Sequence, residues 1–252
     1  MKNAKHILVT GGAGFIGGHL VERLLLEGEN VVVIDDLSTG SLENLAEVRT
    51  NKRFRFVQAK VSECPKLDAL VADSAYIYHL AATVGVELVV QSARHVLEAS
   101  FDETQKLLRA AARHGTPLLL TSTSEVYGKS SKAEFSEEDD LLIGPPSHSR
   151  WSYACAKLSD EFLALAYARE SRLPVTIVRL FNTVGPRQTG RYGMVLPRFR
   201  LDGAHYYCET GADVTRPFPG RRGVACSSSL LRRRRRPRRR RLPATAENGG
   251  EN

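Results

Sequence analysis

Tyr153 and Lys157 stand four positions apart, and none of the other seven tyrosines has a lysine at that spacing. On a helix the two side chains share a face. A phenol of ordinary pKa, about 10, is a poor base at neutral pH, but a neighbouring ammonium favours the phenolate. Such a pair can take a proton from a hydroxyl while a hydride leaves the same carbon. A polar run, Thr121-Ser122-Thr123-Ser124-Glu125-Val126-Tyr127-Gly128, lies upstream and reads as the end of a strand. In open α/β sheets that carboxyl edge is where ligands bind.

A departing hydride needs an acceptor, and the start of the chain offers a place for one. Thr10-Gly11-Gly12-Ala13-Gly14-Phe15-Ile16-Gly17 follows an apolar run and opens a helical pattern. Gly11 suits a tight turn, Gly14 the close approach of backbone to a pyrophosphate, and Gly17 the packing of helix on strand. Phe15 and Ile16 fall in the first helical turn, whose free N–H groups can receive a phosphate. The spacing is G-x-x-G-x-x-G rather than G-x-G-x-x-G, a variant that points to short-chain dehydrogenases. Asp35 ends the next β-branched run, where a carboxylate can bind adenosine ribose hydroxyls and repel a 2′-phosphate. Asp36 is the alternative at this boundary. NAD is therefore the expected cofactor, rather than NADP, and its positive nicotinamide would join the lysine ammonium in favouring the phenolate.

These residues need a sheet to bring them together. Short β-branched runs alternate with longer helical patterns through the first 180 residues, the signature of βαβ units around a parallel sheet. The pattern predicts strands at His6–Thr10, Asn30–Asp35, Arg53–Gln58, Tyr76–Leu80, Pro117–Ser122 and Val175–Leu180. Helices are predicted most clearly at Phe15–Leu26, Val96–His114 and Ser152–Ser171. The strand runs lack strict alternation, as expected where helices cover both faces. The fold class read from this is α/β, a Rossmann-like doubly wound parallel sheet.

With 252 residues, 42% of them hydrophobic, the chain can bury a sizeable core. Its net charge of +8 is unevenly placed: residues 201–252 hold 12 Arg, no Lys and 5 acidic groups, the first 200 hold 24 basic and 23 acidic. The nearly neutral part gives no general reason to bind nucleic acid. After Arg200 the βα rhythm stops, and Arg232–Arg236 and Arg238–Arg241 repel one another with few apolar residues to offset chain entropy. Two parts are expected: residues 1–200 as a NAD-binding Rossmann domain carrying the Tyr/Lys pair, and 201–252 as an atypical Arg-rich tail, largely disordered. Cys64, Cys155, Cys208 and Cys226 are widely spaced without a C-x-x-C pair, so neither a metal site nor a disulfide framework is expected. The apolar runs are far shorter than a membrane span, and no signal-peptide core follows Met1–His6, so a cytoplasmic protein without a membrane partner is expected.

Over roughly Lys5–Phe199 the sequence resembles the extended short-chain dehydrogenase/reductases, specifically the NAD-dependent nucleotide-sugar epimerase/dehydratase family. The residues that carry the likeness are Thr10–Gly17, D-D-L-S-T-G at Asp35–Gly40, H-L-A-A at His79–Ala82, T-S-E-V-Y-G at Thr123–Gly128, Y-A-C-A-K at Tyr153–Lys157 and R-L-F-N-T-V-G-P-R at Arg179–Arg187. The resemblance implies that Tyr153 is the general base and that Lys157 lowers its pKa and holds the nicotinamide ribose. It implies that the Thr123 hydroxyl meets the reacting sugar oxygen, and that Leu80, Ala81 and Ala82 form a backbone wall along the cofactor. Phe181 would sit near the nicotinamide, Asn182 near the substrate diphosphate, and Arg187 is a weaker phosphate candidate. Glu125 resembles the acid of 4,6-dehydratases and UDP-glucuronate decarboxylases: once C4 is a ketone, a carboxylate here could remove the C5 proton. Dehydratase, decarboxylase and 4-epimerase all remain open, since they share the first oxidation. A UDP- or GDP-sugar substrate and a homodimer through the two long helices are the family's habit.

Several positions depart from that pattern. Ala59-Lys60 stands where Gly-Asp is common, Ser100 where the family has Asn, Glu103 where it has Gly, and Ala156 where Ser is usual. Family members continue past Met194–Phe199 with a substrate domain, and the Arg-rich sequence here does not resemble one. That domain is expected to be truncated or replaced, as a shifted reading frame in GC-rich coding sequence would produce. An inactive NAD-binding fragment is thus the alternative function. Nucleic-acid binding through Arg232–Arg241 is a lesser one, because no nucleic-acid motif accompanies the tract.

Overall fold

The computed structural model describes residues 5–82 and 92–188. Residues 201–252, and with them the expected tail, lie outside the described residues, as does the Met194–Phe199 match. Six strands form one sheet: β1 (His6–Thr10), β2 (Val31–Asp35), β3 (Phe54–Gln58), β4 (Ser74–His79), β5 (Leu118–Thr123) and β6 (Val175–Leu180). Four α-helices accompany them among the described residues: α1 (Phe15–Leu26), α2 (Leu67–Ala72), α3 (Ala93–His114) and α4 (Trp151–Glu170). Short 3-10 turns at Leu42–Val48, Val61–Glu63 and Ser124–Tyr127 complete the path.

The strand order is β3-β2-β1-β4-β5-β6, and every pairing is parallel. Parallel sheets bury both faces, and the residues of β2, Val31 to Asp35, are all buried. Period-two alternation divides the strands between two cores. Leu8, Val32, Ile34, Ile77, Leu118 and Leu120 face one core, which Leu107, Leu108 and Ala164 of α3 and α4 close. Val9, Val31 and Val33 face the other, against Val21, Leu24 and Leu25 of α1 and Leu45 of the following turn. This is the doubly wound class that the βα rhythm predicts.

The order reverses between β1 and β4, so their carboxyl ends define the switch-point crevice where such sheets bind ligands. Gly11 follows β1 and Leu80–Ala82 follow β4, which brings the glycine turn and the H-L-A-A segment together. Gly11 adopts φ +71°, and a Cβ there would lie 2.6 Å from the Ala81 nitrogen. Only glycine meets both demands.

Candidate active site

The glycine turn is built from backbone contacts. The Gly11 N–H donates to the Ile34 carbonyl at 2.9 Å and the Gly14 N–H to the Gly11 carbonyl at 3.2 Å. A Cβ on Gly17 would sit 2.1 Å from the Gly11 oxygen, so this glycine seats α1 on the turn. Gly14 caps α1 without a side-chain hydrogen bond, and no acidic residue stands in the first turn at Phe15 and Ile16. Those N–H groups need an acceptor from outside the helix. A Cβ on Gly14 would meet only the Gly11 oxygen, at 3.2 Å; beyond that the space is open to a pyrophosphate.

Asp35 is buried at the end of β2 and does more than the sequence suggested. Its Oδ2 accepts from the Ala13 N–H at 2.9 Å and its Oδ1 from the Leu37 N–H at 2.8 Å. Burial raises its pKa, partly offset by those two N–H donors. Each oxygen keeps a further lone pair for a ribose hydroxyl. Asp36 accepts from the Ser38 N–H at 2.9 Å and so shapes the adjoining loop. Around this end the chain also places Glu103 of α3, whose carboxyl is pushed up to about 7 by burial and by the charge of Asp36, against the opposing pull of Lys60 and Lys157.

A buried polar seam joins the turn to the Tyr/Lys helix. Thr10 Oγ1 accepts from the Ala81 N–H at 3.3 Å and lies 2.7 Å from His79 Nδ1, while His79 Nε2 is 3.3 Å from Thr104 Oγ1. The consistent assignment has the Thr10 hydroxyl donating to Nδ1 and Nε2–H donating to Thr104. His79 is fully buried and neutral, its pKa lowered to about 3 by burial and then by the charge of Lys157. One turn before Thr104, the Ser100 hydroxyl donates to Asp160 Oδ2 at 2.8 Å, and Lys157 Nζ donates to the same oxygen at 3.0 Å.

Tyr153 is partly buried on the first turn of α4. Its pKa is raised, first by burial and then by the negative charges of Glu125 and Asp160. Lys157, expected to lower that pKa, is paired with Asp160, and before any ligand is bound burial and the two carboxylates oppose ionisation of the phenol. Glu125 lies beyond the end of β5, its own pKa raised by burial and lowered in part by Arg150. Thr123 Oγ1 accepts from the Glu125 N–H at 3.2 Å, leaving its hydrogen free to donate. At the carboxyl end of β5, Glu125 thus bonds Thr123 through its N–H and acts electrostatically on Tyr153 of α4.

Two other expected residues flank this edge. Phe181 is 48% exposed, with its ring 6.2 Å from Tyr127 and 6.1 Å from Phe135 between centroids. Asn182 is exposed. Arg187, the weaker phosphate candidate, has protein partners. Its guanidinium pairs with Glu22 of α1 at 2.8 Å and donates to the Asn44 carbonyl at 3.2 Å. It clasps the segment after β6 onto α1 and the following turn.

Sequence reasoning missed a buried network that anchors the helix carrying Tyr153. Glu161, buried on α4, accepts from the Ser122 hydroxyl and, two-pronged, from Arg179 of β6 at 2.8 to 3.2 Å. The Arg179 guanidinium also lies 4.8 Å from the centre of the Tyr127 ring. This network fastens α4 to β5 and β6; the available signal was that Glu161 falls one further turn along the helix from Lys157. A cavity of about 890 Å³ opens at the opposite edge of the sheet, among Lys5, His6, Asn30, Arg53 and Arg55. It lies away from the Tyr/Lys pair.

Fold and site define a dinucleotide-cradling α/β protein with a tyrosine and lysine of short-chain dehydrogenase type. Residues 7–206 match the NAD dependent epimerase/dehydratase family, and the chain belongs to it. A UDP-N-acetyl-alpha-D-glucosaminuronate decarboxylase of Bacillus cytotoxicus is 41% identical over 196 residues, covering 77% of this chain and 60% of the relative. UDP-glucuronic acid decarboxylase 1 of Arabidopsis thaliana is 36% identical over 77% of this chain and 43% of its own length. Among solved structures, a dTDP-glucose 4,6-dehydratase from Streptomyces venezuelae with NAD bound superposes with TM-score 0.71 at 33% identity, over 79% of this chain and 62% of that one. A UDP-N-acetylglucosamine 4-epimerase from Methanobrevibacter ruminantium does so with TM-score 0.71 at 29% identity, over 79% and 63%. The chain therefore spans about 60% of the length of the first of these curated relatives. Among the described residues no helix is long and apolar enough to cross a membrane.

Proposed function

We propose that this chain binds NAD across the carboxyl edge of the sheet and oxidises a UDP-linked sugar at C4, as the opening step of a decarboxylation. The observation that supports the reading is Glu125, which bonds Thr123 at the end of β5 and acts on Tyr153 of α4, on the edge of the sheet where the glycine turn opens. Gly11, Gly14, Phe15, Ile16 and Gly17 would receive the pyrophosphate, Asp35 the adenosine ribose, Leu80, Ala81 and Ala82 the flank, Lys157 the nicotinamide ribose, and Phe181 the ring. The open face of Gly14 and the uncapped first turn of α1 fit such a ligand. Bound NAD would supply a hydride acceptor and a positive ring that opposes the carboxylates around Tyr153.

Tyr153 then takes the C4 hydroxyl proton, Thr123 holds that oxygen, and the C4 hydrogen leaves as hydride, which makes a ketone. In a sugar with a carboxylate on C5, the new ketone is β to it, so carbon dioxide can leave with its bonding electrons passing into the C4 carbonyl. Two decarboxylases among the relatives support this choice. A 4,6-dehydratase is the second reading, favoured by Glu125 beside Tyr153; there Glu125 takes the C5 proton and the C6 hydroxyl leaves as water. The full chain, incubated with NAD and UDP-glucuronate, UDP-glucose or GDP-mannose, is expected to consume UDP-glucuronate and release carbon dioxide, followed by proton NMR. A 4-keto product from a hexose would favour the dehydratase instead. NAD binding without any sugar conversion would identify a non-catalytic fragment.

We further infer a homodimer through α3 and α4. These helices pack on each other yet keep large apolar groups in solvent: Leu97 and Phe101, one turn apart on α3, and Phe162 and Leu165, one turn apart on α4. Phe162 is 67% exposed, the largest exposure of the four. Phe162→Glu is expected to weaken self-association about thirtyfold or more, measured by sedimentation equilibrium; an unchanged dimer constant, or a monomeric parent, contradicts this.

A further inference from the structure

Lys157 and Asp160 form an ion pair with almost no access to water, their side chains 2% and 0% exposed. Asp160 lies three residues beyond Lys157 on α4, and both Lys157 and Ser100 spend a proton on its Oδ2. Its Oδ1 is buried and lacks any hydrogen-bond partner among the described residues. A carboxylate so poorly supplied with donors is a costly thing to bury, which asks what its charge offsets. The other groups around the lysine do not answer for it. His79 is neutral, Ser100 and Thr104 are hydroxyls, Glu103 acts from α3 without a direct contact, and Glu125 bears on Tyr153.

We propose that Asp160 cancels the charge of Lys157 beneath the nicotinamide, so that the chain holds the oxidised, positively charged cofactor in preference to the reduced, neutral one. The inference rests on the reading above, in which Lys157 meets the nicotinamide ribose. An unpaired buried ammonium there would repel the cationic ring and favour NADH. With Asp160 in contact and no solvent between, the lysine presents its remaining N–H groups to the ribose without a net positive charge. An enzyme that must start each turnover from NAD, and return its hydride before the product leaves, gains from this bias. Asp160 is a positioning and charge-setting residue, and it touches no reacting atom.

The test is the ratio of dissociation constants for NAD and NADH, measured by calorimetry on the full chain stripped of cofactor. A pH of about 8.5 keeps Glu103, raised to about 7, largely ionised in every variant. Asp160→Asn keeps the size and an acceptor oxygen for Lys157 but removes the charge. It is expected to shift the ratio toward NADH on the order of tenfold, about 1.4 kcal/mol. Asp160→Glu is expected to restore the parent ratio. Asp160→Ser, which admits water, is expected to move it in the same direction as Asn and serves if the Asn variant does not fold. Affinities that fall together, with the ratio unchanged, would show a structural role only and overturn the proposal, as would a shift toward NAD. If the parent binds neither form, the reading of the site fails, and this inference falls with it.

Discussion

Gly14→Val is expected to deprive the chain of NAD while leaving its fold nearly intact. Gly14 has φ −74° and ψ 177°, which any L-residue adopts, and a Cβ there meets one protein atom at 3.2 Å. The folded chain should therefore lose only about 1 kcal/mol, the scale of a helix-cap change. A valine would nevertheless fill the space that the pyrophosphate needs against the first turn of α1. The NAD dissociation constant should rise at least a hundredfold, about 2.7 kcal/mol. Calorimetric titration beside urea denaturation separates the two effects. An affinity within threefold of the parent would mean that no diphosphate lies over this turn. Gly17 gives the contrast, because its Cβ would strike the Gly11 oxygen at 2.1 Å. Substitution there disturbs the turn itself.

Tyr153→Phe should have the largest effect on chemistry, lowering sugar oxidation on the order of a thousandfold, the range expected for loss of a positioned base. The ring remains, so packing on α4 should hold and the NAD dissociation constant should stay within about threefold. Stopped-flow absorbance of NADH formation under substrate saturation reads the step directly. A variant with parental oxidation rate would show that another group takes the proton. The raised pKa of Tyr153 sharpens the point, since burial, Glu125 and Asp160 all oppose ionisation before any ligand arrives. A positive ring bound beside it would oppose that shift.

Much of this was legible in the sequence because it depends on local pattern. The valine and isoleucine runs give β1, β2 and β6 within a residue of where they fall, and Phe15–Leu26 is a helix from end to end. β4 begins two residues before its predicted start, at Ser74, whose hydroxyl donates to the Leu70 carbonyl of α2, a tertiary tie invisible in a propensity run. The glycine turn and the Tyr/Lys spacing likewise announce themselves. What was not legible depends on burial and on partners distant in sequence. The i,i+3 spacing of Lys157 and Asp160 is plain in the chain, but that the pair is shut off from water and shared with Ser100 of α3 is not. That Arg187 faces Glu22 follows from the path of the chain after β6. Neither motif spacing nor charge counting reveals which ion pairs lose their solvent.

The central claim is that a dinucleotide spans the carboxyl edge of the sheet from the Gly11–Gly17 turn to Tyr153. Hydrogen exchange followed by mass spectrometry, on the full chain with and without saturating NAD, tests it most directly. The account predicts slowed exchange at residues 11–17, 35–38, 79–82 and 151–157. Protection confined to the opposite edge, around Lys52–Arg55, or no protection anywhere, would contradict it.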